Sequence, residues 1–159
     1  MGNICRSPLA EGAARMYVER NGLADLVEVD SAGTGNWHEG EAPDPRAQKI
    51  ARERGVDISR QRARQIRPVD FERFDYILAM DEQNLEALER ACPEALVGRV
   101  GLLMEHTRVF EEREVPDPYY GGEAGFARVW NMVDDAVAGF FAKLDLSAPP
   151  DDTNQAGPG

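Results

Sequence analysis

The sequence predicts an α/β fold: one three-layer domain in which a small parallel sheet has helices on both faces. Segments with the helical period of apolar residues alternate with short apolar runs, in the order helix, strand, helix, strand, helix, strand, helix. Strands that are separated by helices need crossover connections, which make neighbouring strands parallel. The 159 residues suit a single domain and are enough to bury a core.

A first helix is predicted near residues 8–21. Ser7 places a hydroxyl that can cap a helix just before Pro8, and proline is favoured at the first helical position. Apolar side chains then recur at helical spacing as far as Gly22, which can adopt the left-handed conformation that ends many helices.

A strand, a loop and a second helix follow. Residues 26–32 alternate apolar and polar side chains, which predicts a strand with one buried face. Glycines and prolines make 35–44 a loop. Asp44 then precedes a proline in the manner of a helix cap, so a second helix is expected from there to Gly55.

Two buried strands and a helix are predicted in the second half. Residues 76–80 form a continuous apolar run and 100–104 form another, which is typical of strands covered on both faces. Between them, Asp81 is placed to cap a helix that ends before Pro93.

The C-terminal part is predicted to hold a loop, a long helix and a tail. Two prolines and two glycines within 116–122 forbid regular structure there. One apolar face at helical spacing marks an amphipathic helix near 123–144. The remainder, 147–159, is rich in Pro, Asp and Gly without an apolar period, so we predict one domain over 1–146 followed by a disordered tail.

The charge balance excludes several classes of protein. Lys and Arg number 18 against 29 Asp and Glu, a formal net charge of -11, whereas a general nucleic-acid binder needs a basic face. Four arginines within 60–67 are therefore better explained as a solvated face paired with nearby acids. No apolar run approaches the roughly 20 residues of a membrane span. The only cysteines, Cys5 and Cys92, are too few for a disulfide framework or a zinc site and suit a reducing cytoplasm.

Residues 2–8 have the composition of an anion-binding turn. A turn of small residues before a helix directs several backbone N–H groups at one point, with the positive end of the helix dipole behind them. Arg6 can add a bidentate guanidinium for two phosphate oxygens. The same residues could instead be structural, with Asn3 and Ser7 capping the helix and Arg6 a surface charge, and on their own they leave both interpretations open.

The Gly-Asn-Ile-Cys-Arg-Ser-Pro sequence of this turn resembles the signature Cys-x-Gly-Asn-x-Cys-Arg-Ser of the low-molecular-weight protein tyrosine phosphatases. Further motifs of that family are matched in the same order along about 120 residues, which is not expected by chance. They are residues 31–34, Trp37, 63–65, 80–84 and 117–119. The resemblance implies a sheet with the strand order 2-1-3-4.

The resemblance implies hydrolysis of phosphotyrosine or aryl phosphate monoesters through a phosphocysteine intermediate. The family nucleophile attacks phosphorus as a thiolate, and Arg6 binds the equatorial oxygens. Asp117 protonates the leaving phenolate and then activates water, although its spacing between prolines alone would favour a turn former. Neither a metal nor another cofactor is needed, because Arg6 and loop N–H groups supply positive charge. The phosphate-binding residues are Gly2, Asn3, Ile4, Cys5, Arg6 and Ser7.

The resemblance also assigns residues around the phosphate loop. Trp37 and Tyr119 would form the walls of a slot for a phenyl phosphate, although a loop tryptophan could equally pack on the core. Asn3 would hold the loop in a left-handed turn, with Ser31 as its hydrogen-bond partner. Gln61 stands where the family commonly has a histidine, and its amide can preserve part of that hydrogen-bond network.

One departure from the family concerns the nucleophile. Counted back from Arg6, the catalytic cysteine falls on the residue immediately before Met1, and the first strand of the sheet falls before that. Cys5 matches the second, non-nucleophilic cysteine of the signature, so we do not expect it to act instead, although a thiol near a helix start could have a lowered pKa. We therefore expect that the natural protein begins upstream and that the chain as written is inactive.

Other functions share this sequence pattern. A catalytically dead module that binds phosphate or phosphotyrosine would keep the same loop, because binding groups survive the loss of a nucleophile. Arginine phosphatases and arsenate reductases also have the loop, but Ile4 stands where threonine is usual in the former. Thioredoxin-linked reductases need two further cysteines, and only Cys92 is available. The expected partner is a phosphotyrosine protein or a small aryl phosphate.

Overall fold

The computed structural model describes residues 4–35, 38–119, 122–144 and 156–158. Within these ranges the helices are α1 (Arg6–Arg20), α2 (Pro45–Glu53), α3 (Pro68–Arg73), α4 (Glu82–Ala91) and α5 (Gly122–Lys143). The strands are β1 (Tyr76–Ala79), β2 (Val100–Leu102) and β3 (Ala156–Pro158). Two 3-10 turns, Glu94–Arg99 and Leu103–His106, flank β2.

The described strands form one parallel sheet in the order β2-β1-β3, which confirms the predicted α/β class. β1 and β2 lie in the two predicted apolar runs, with Ile77 opposite Val100 and Ala79 opposite Leu102. β2 is shorter than predicted because the chain enters a 3-10 turn at Leu103.

Two hydrophobic clusters lie on opposite faces of β1. Leu78 belongs to the larger cluster, which includes residues of α1, α2 and α5, whereas Ile77 belongs to a smaller one with Phe71 of α3 and Leu88 of α4. Successive side chains of a strand point to opposite faces, so helices cover the sheet on both sides, as predicted.

The segment 26–32 forms no ladder with any described strand, so the strand predicted there is wrong. Its alternation is nevertheless visible in the fold, since Val27 and Val29 are buried while Glu28 and Asp30 are more exposed. Just beyond it, Gly33 makes an isolated bridge to Gln65. A strand needs hydrogen bonds to a neighbouring strand as well as an alternating pattern, and the pattern alone is not sufficient.

The tail prediction needs correction at Ala156–Pro158, because these residues pair in parallel with β1 as strand β3. Tyr76 lies opposite Ala156 and Leu78 opposite Pro158. Composition argues against a strand here, since glycine and proline are poor strand formers. An unpaired edge of a buried strand, however, leaves N–H and C=O groups without partners, which favours pairing with any extended segment within reach. The rest of 147–159 lies outside the described residues.

α1 begins at Arg6, so the capping role predicted for Ser7 is wrong. Cys5 occupies the N-cap position without a side-chain cap hydrogen bond, and Ser7 is buried within the first turn. Proline is tolerated throughout a first turn, because the N–H that it lacks has no intrahelical acceptor there. The helix ends as predicted, where Gly22 has a φ of 67°.

The other predicted helices are confirmed. The Asp44 side chain accepts the Arg46 N–H at the start of α2, and Asp81 accepts the Asn84 N–H at the start of α4. α3 follows the basic stretch, and the sequence predicts no element there; at its start, the Asp70 side chain accepts the Arg67 N–H at 2.7 Å.

α5 buries its predicted apolar face against α1. Phe126, Val133 and Phe140 are almost completely buried along this face. Gly139 lies against the backbone of the 3-10 turn that follows β2, where an added Cβ would be 1.9 Å from the carbonyl oxygen of His106. Neither α5 nor another helix in the described ranges is long and apolar enough to cross a bilayer.

Candidate active site

Arg6 lies in the first turn of α1 and is only 5% exposed. Its Nη1 donates to Asp81 Oδ2 at 2.8 Å and to the carbonyl oxygen of Val115 at 2.7 Å, and its Nη2 donates to Asn84 Oδ1 at 3.5 Å. Because a guanidinium is planar, these contacts fix its orientation. Arg6 is thus an oriented cation at the amino end of a helix, where the dipole also favours an anion.

Asp81 connects this cation to the rest of the fold. One carboxylate oxygen accepts the Asn84 N–H at 2.7 Å and caps α4, while the other pairs with Arg6. Burial opposes ionisation, but the hydrogen bond from Asn84 and the Arg6 guanidinium together lower the pKa of Asp81 below its ordinary value. Sequence analysis predicts the cap but misses the second role, because the pair joins residues 75 positions apart.

Arg6 and Asp117 line the same cleft, which has a volume of about 780 Å³. The structure thereby brings the predicted phosphate-binding cation and the predicted proton donor to one place. Among the residues that the structure describes, no group of three His, Cys, Asp or Glu side chains is arranged to hold a metal ion. Two ion pairs border the cleft, Glu82–Arg113 and Glu112–Arg128.

Asp117 lies on an exposed loop that is anchored on its N-terminal side. Its Oδ1 accepts the Tyr119 N–H at 3.0 Å, which orients the carboxylate within a local turn. Val115 is buried and donates its N–H to the carbonyl oxygen of Met80 at 2.8 Å, while its own carbonyl oxygen accepts from Arg6. Val115 therefore holds both the loop that carries Asp117 and the Arg6 guanidinium.

The described part of the predicted phosphate loop contains a buried thiol, Cys5. The carbonyl oxygen of Ile4 accepts the Asp44 N–H at 2.8 Å, which ties the loop to the start of α2. Cys5 is buried, and burial together with the nearby carboxylates of Asp44 and Asp117 raises its pKa to about 12. This is the opposite of the lowered pKa that a helix start can produce, and an activated nucleophile would need the thiolate.

The predicted supporting residues contact α1. Ser31 Oγ donates to Glu11 Oε1 at 2.6 Å, and Gln61 Nε2 donates to the carbonyl oxygen of Pro8 at 3.1 Å. Sequence analysis does not single out Glu11, whose only signal is an acidic residue on the buried face of the helix. Three predicted site residues lie outside the described residues: Gly2, Asn3 and Trp37.

Tyr119, the second predicted wall of the substrate slot, is 39% exposed and lies against Arg46. The Arg46 guanidinium carbon is 5.4 Å from the centroid of the Tyr119 ring and 4.8 Å from that of Phe126. Asp44 binds the same guanidinium through both carboxylate oxygens. Arg46 is a further residue that sequence analysis misses, because only the fold brings α2 next to the loop of Tyr119.

A profile of the low molecular weight phosphotyrosine protein phosphatase family matches residues 1–148. The chain therefore belongs to this family, and the resemblance drawn from its N-terminal turn is confirmed. The fold is that of the family's solved structures, with a small parallel sheet and helices on both faces.

Similar proteins are found in bacteria and eukaryotes. A low molecular weight protein-tyrosine-phosphatase of Streptomyces coelicolor is 44% identical over 146 residues, which cover 90% of this chain and 88% of the relative. The low molecular weight phosphotyrosine protein phosphatase of Schizosaccharomyces pombe is 39% identical over 145 residues, which cover 91% of this chain and 92% of the relative. A crystal structure of a protein tyrosine phosphatase from Entamoeba histolytica has a TM-score of 0.88 at 38% identity, with 90% of this chain and 91% of that chain covered.

Proposed function

We propose that the natural protein hydrolyses the phosphate monoester of phosphotyrosine, or of a small aryl phosphate, through a phosphocysteine intermediate. The cleft that both Arg6 and Asp117 line is the observation that carries this proposal. A guanidinium binds two phosphate oxygens through parallel hydrogen bonds. A carboxylic acid beside it can protonate a departing phenolate, and the membership of the family supports the same assignment.

The reaction takes place in two steps. A thiolate attacks phosphorus while the bond to the phenolic oxygen breaks, and Arg6 and the loop N–H groups stabilise the charge on the equatorial oxygens. Asp117 gives its proton to the departing oxygen. Water then attacks the phosphocysteine as Asp117 takes a proton from it, which releases inorganic phosphate and regenerates the thiolate.

The attacking thiolate, in this proposal, belongs to the cysteine that the family signature places immediately before Met1. Cys5 is unsuited because its buried thiol, with a pKa of about 12, is protonated at neutral pH. Cys92 is the C-cap of α4, and its Sγ–H donates to the carbonyl oxygen of Pro93 at 3.4 Å. The chain beginning at Met1 is therefore expected to bind phosphate without turnover.

The intact mass of the protein isolated from its own source is the first test. We expect a mass above 17.6 kDa, with an excess equal to the mass of one additional strand that ends in cysteine. A mass that matches a start at Met1 would contradict this assignment of the nucleophile.

A turnover assay with para-nitrophenyl phosphate completes the test. The natural protein should hydrolyse the ester, and the chain beginning at Met1 should not. The proposal would be overturned if the shorter chain hydrolysed the ester and this activity were lost in Cys5→Ser but kept in the matched control Cys92→Ser. Such a result would assign the reaction to Cys5.

A second candidate function is a catalytically inactive module that binds phosphate or phosphotyrosine. The observation that favours it is that both cysteines of this sequence, Cys5 and Cys92, have thiols with raised pKa values, because burial opposes the thiolate. Binding of phosphate by the natural protein, with no hydrolysis of any aryl phosphate, would support this candidate against the first.

We also propose a compartment and a substrate class for the protein. Two free cysteines suit a reducing cytoplasm, where we place the protein. Its substrate there is a phosphotyrosine protein or a small aryl phosphate, and the net charge of -11 argues against nucleic acid as a partner. One catalytic domain over 1–146 is supported by the extent of the family match.

A further inference from the structure

We propose that Arg46 is a positioning residue that holds the Tyr119 ring as a wall of the substrate slot and so determines the preference for aryl over inorganic phosphate. The inference rests on the proposed function, because it concerns the substrate of that site. It assigns a specificity role to a residue of α2 that the reaction itself does not use.

Asp44 anchors Arg46 to the phosphate loop. The Asp44 N–H donates to the carbonyl oxygen of Ile4 at 2.8 Å, so the start of α2 is attached to the loop itself. The Asp44 carboxylate then accepts from Arg46 Nε at 3.1 Å and from Nη2 at 3.0 Å. A carboxylate that binds two edges of a guanidinium fixes its plane as well as its position.

The fixed guanidinium contacts two aromatic rings. Phe126, at 4.8 Å, is 1% exposed and belongs to the core, so it gives the guanidinium a rigid support. Tyr119, at 5.4 Å, is 39% exposed and lies on a loop without secondary structure. Both distances are within the range of cation–π attraction. Arg46 therefore connects the exposed Tyr119 ring to the core and restricts its movement.

The same contacts connect the wall to the proposed proton donor. The Tyr119 N–H donates to Asp117 Oδ1 at 3.0 Å, so a Tyr119 residue that is held in place also holds the acid loop. The described contacts run from Ile4 through Asp44 and Arg46 to Tyr119 and then to Asp117. This path joins the side of the site that binds phosphate to the side that contacts the leaving group.

The phosphate group and the phenyl group of an aryl phosphate contact different parts of the site. A phosphate group contacts Arg6 and the loop, whether or not it carries a phenyl group. Only the phenyl group can contact Tyr119, where stacking adds to burial. Loss of Arg46 should therefore weaken binding of an aryl ligand more than binding of free phosphate, which senses only the loss of one nearby positive charge.

Calorimetric titration of the full chain with inorganic phosphate and with phenylphosphonate tests this selectivity. The carbon–phosphorus bond of phenylphosphonate resists hydrolysis, so binding is measured without turnover. Arg46→Met should raise the Kd of phenylphosphonate by a factor about two- to tenfold larger than the factor by which it raises the Kd of phosphate. Arg46→Lys should behave like Arg46→Met, because a lysine is a point charge that cannot bind both carboxylate oxygens and stack on two rings.

Arg73→Met is the matched control. Arg73 also lies over a ring, 5.2 Å from the centroid of Phe74, and pairs with an acidic residue, Glu28. It is on α3, which precedes β1, whereas the site lies beyond the other end of that strand. Both ligands should bind this variant as they bind the unmodified chain. Equal weakening of both ligands in Arg46→Met, no change in either, or normal affinities in Arg46→Lys would each overturn the proposal.

Amide hydrogen exchange decides the positioning role without any ligand. Pro116 and Pro118 carry no N–H, so the amides of Asp117 and Tyr119 report on this loop. Exchange at Tyr119 should become at least about threefold faster in Arg46→Met and remain unchanged in Arg73→Met. Unchanged exchange in Arg46→Met would refute the role of Arg46. Failure of the unmodified chain to bind either anion would refute the proposed function instead, and the exchange rates would still decide the role of Arg46.

Discussion

At the scale of single residues, the site depends on one buried cation with partners from distant parts of the chain. Arg6 is oriented by Asp81, Asn84 and the carbonyl oxygen of Val115. A buried charge without partners would destabilise the fold, and one with several fixed partners is preorganised for an anion. Preorganisation matters in phosphoryl transfer, because electrostatic stabilisation and positioning supply most of the catalysis.

Replacement of Asp81 should affect stability in a pH-dependent way. The pKa of Asp81 is lowered in the fold, so its ionised form contributes stability that is complete above the unfolded pKa of about 3.9 and is lost as the pH falls through the folded value. We expect Asp81→Asn to lower the free energy of unfolding by about 1–2 kcal/mol near neutral pH and by progressively less below about pH 4.

Urea unfolding of both proteins across this pH range measures the effect. Glu28→Gln, which removes one partner of the exposed pair with Arg73, is the control and should cost about 0.5 kcal/mol or less. A difference between Asp81→Asn and the unmodified protein that does not change with pH would contradict the role of the ionised carboxylate.

Asp117→Asn should separate binding from catalysis in the natural protein. An amide cannot donate the proton that the phenolate needs, but it can still accept the Tyr119 N–H that shapes the loop. Turnover of an aryl phosphate should fall by about 10²–10⁴, while the affinity for inorganic phosphate stays within about twofold. Steady-state kinetics with phosphate as a competitive inhibitor measure both. Loss of phosphate binding in proportion to turnover would indicate that Asp117 shapes the site rather than donating a proton.

At the scale of elements, close contacts hold α5, the long C-terminal helix, against the turn that follows β2. Gly139 is in contact with the backbone at His106, and Phe140 stacks edge-on against the ring of the same histidine. Asp135 accepts the Thr107 hydroxyl and the Arg108 N–H one turn away. At the other end of α5, Gly125 lies beside Pro118 of the loop that carries Asp117.

Gly139→Ala should be strongly destabilising because of this close approach. The added Cβ would lie 1.9 Å from a backbone oxygen, so the helix or the turn must move. We expect a loss of about 2–4 kcal/mol in the free energy of unfolding, measured by urea denaturation.

Gly125→Ala on the same helix is the matched control. Its nearest neighbour would be Pro118 Cβ at 3.7 Å, an ordinary contact, and alanine favours the helix by about 0.5–1 kcal/mol. A Gly139→Ala protein as stable as Gly125→Ala would show that the two elements are not in rigid contact.

At the scale of the whole molecule, the sheet joins two strands from the middle of the sequence to a segment close to its C-terminal end. β3 pairs with β1 on the side away from β2, which is the position that the family order 2-1-3-4 gives to the first strand. β1 is buried on both faces, so its N–H and C=O groups require partners on both edges. Pairing with Ala156–Pro158 satisfies the edge that β2 does not reach.

Removal of residues 145–159 should expose one edge of β1. The amides of β1 that face β3 should exchange with solvent about tenfold faster or more, whereas those that face β2 should be unaffected. Hydrogen exchange followed by NMR distinguishes the two edges within one sample, so the β2 side is an internal control. Equal protection of both edges after the deletion would show that β3 does not pair with β1 in solution.

Local signals in the sequence predicted most of the helices. Asp44 and Asp81 begin helices through short-range hydrogen bonds, and Gly22 ends one through its own backbone conformation. Such interactions involve residues within one turn of each other, so a short window of sequence contains all the information. The apolar face of α5 is similarly local, because its spacing follows from the helical period.

The sequence by itself determined the α/β class, the family and the candidate site residues Arg6 and Asp117, because caps, periodicity and motifs are read over short distances. Only the tertiary structure decided that 26–32 lacks a ladder, that Ala156–Pro158 supplies one, and that Asp81 orients Arg6. The same holds for the contact of Arg46 with Tyr119. Each of these depends on which distant segments become neighbours, and hydrogen bonds or ring contacts between distant segments leave no periodic pattern in the chain.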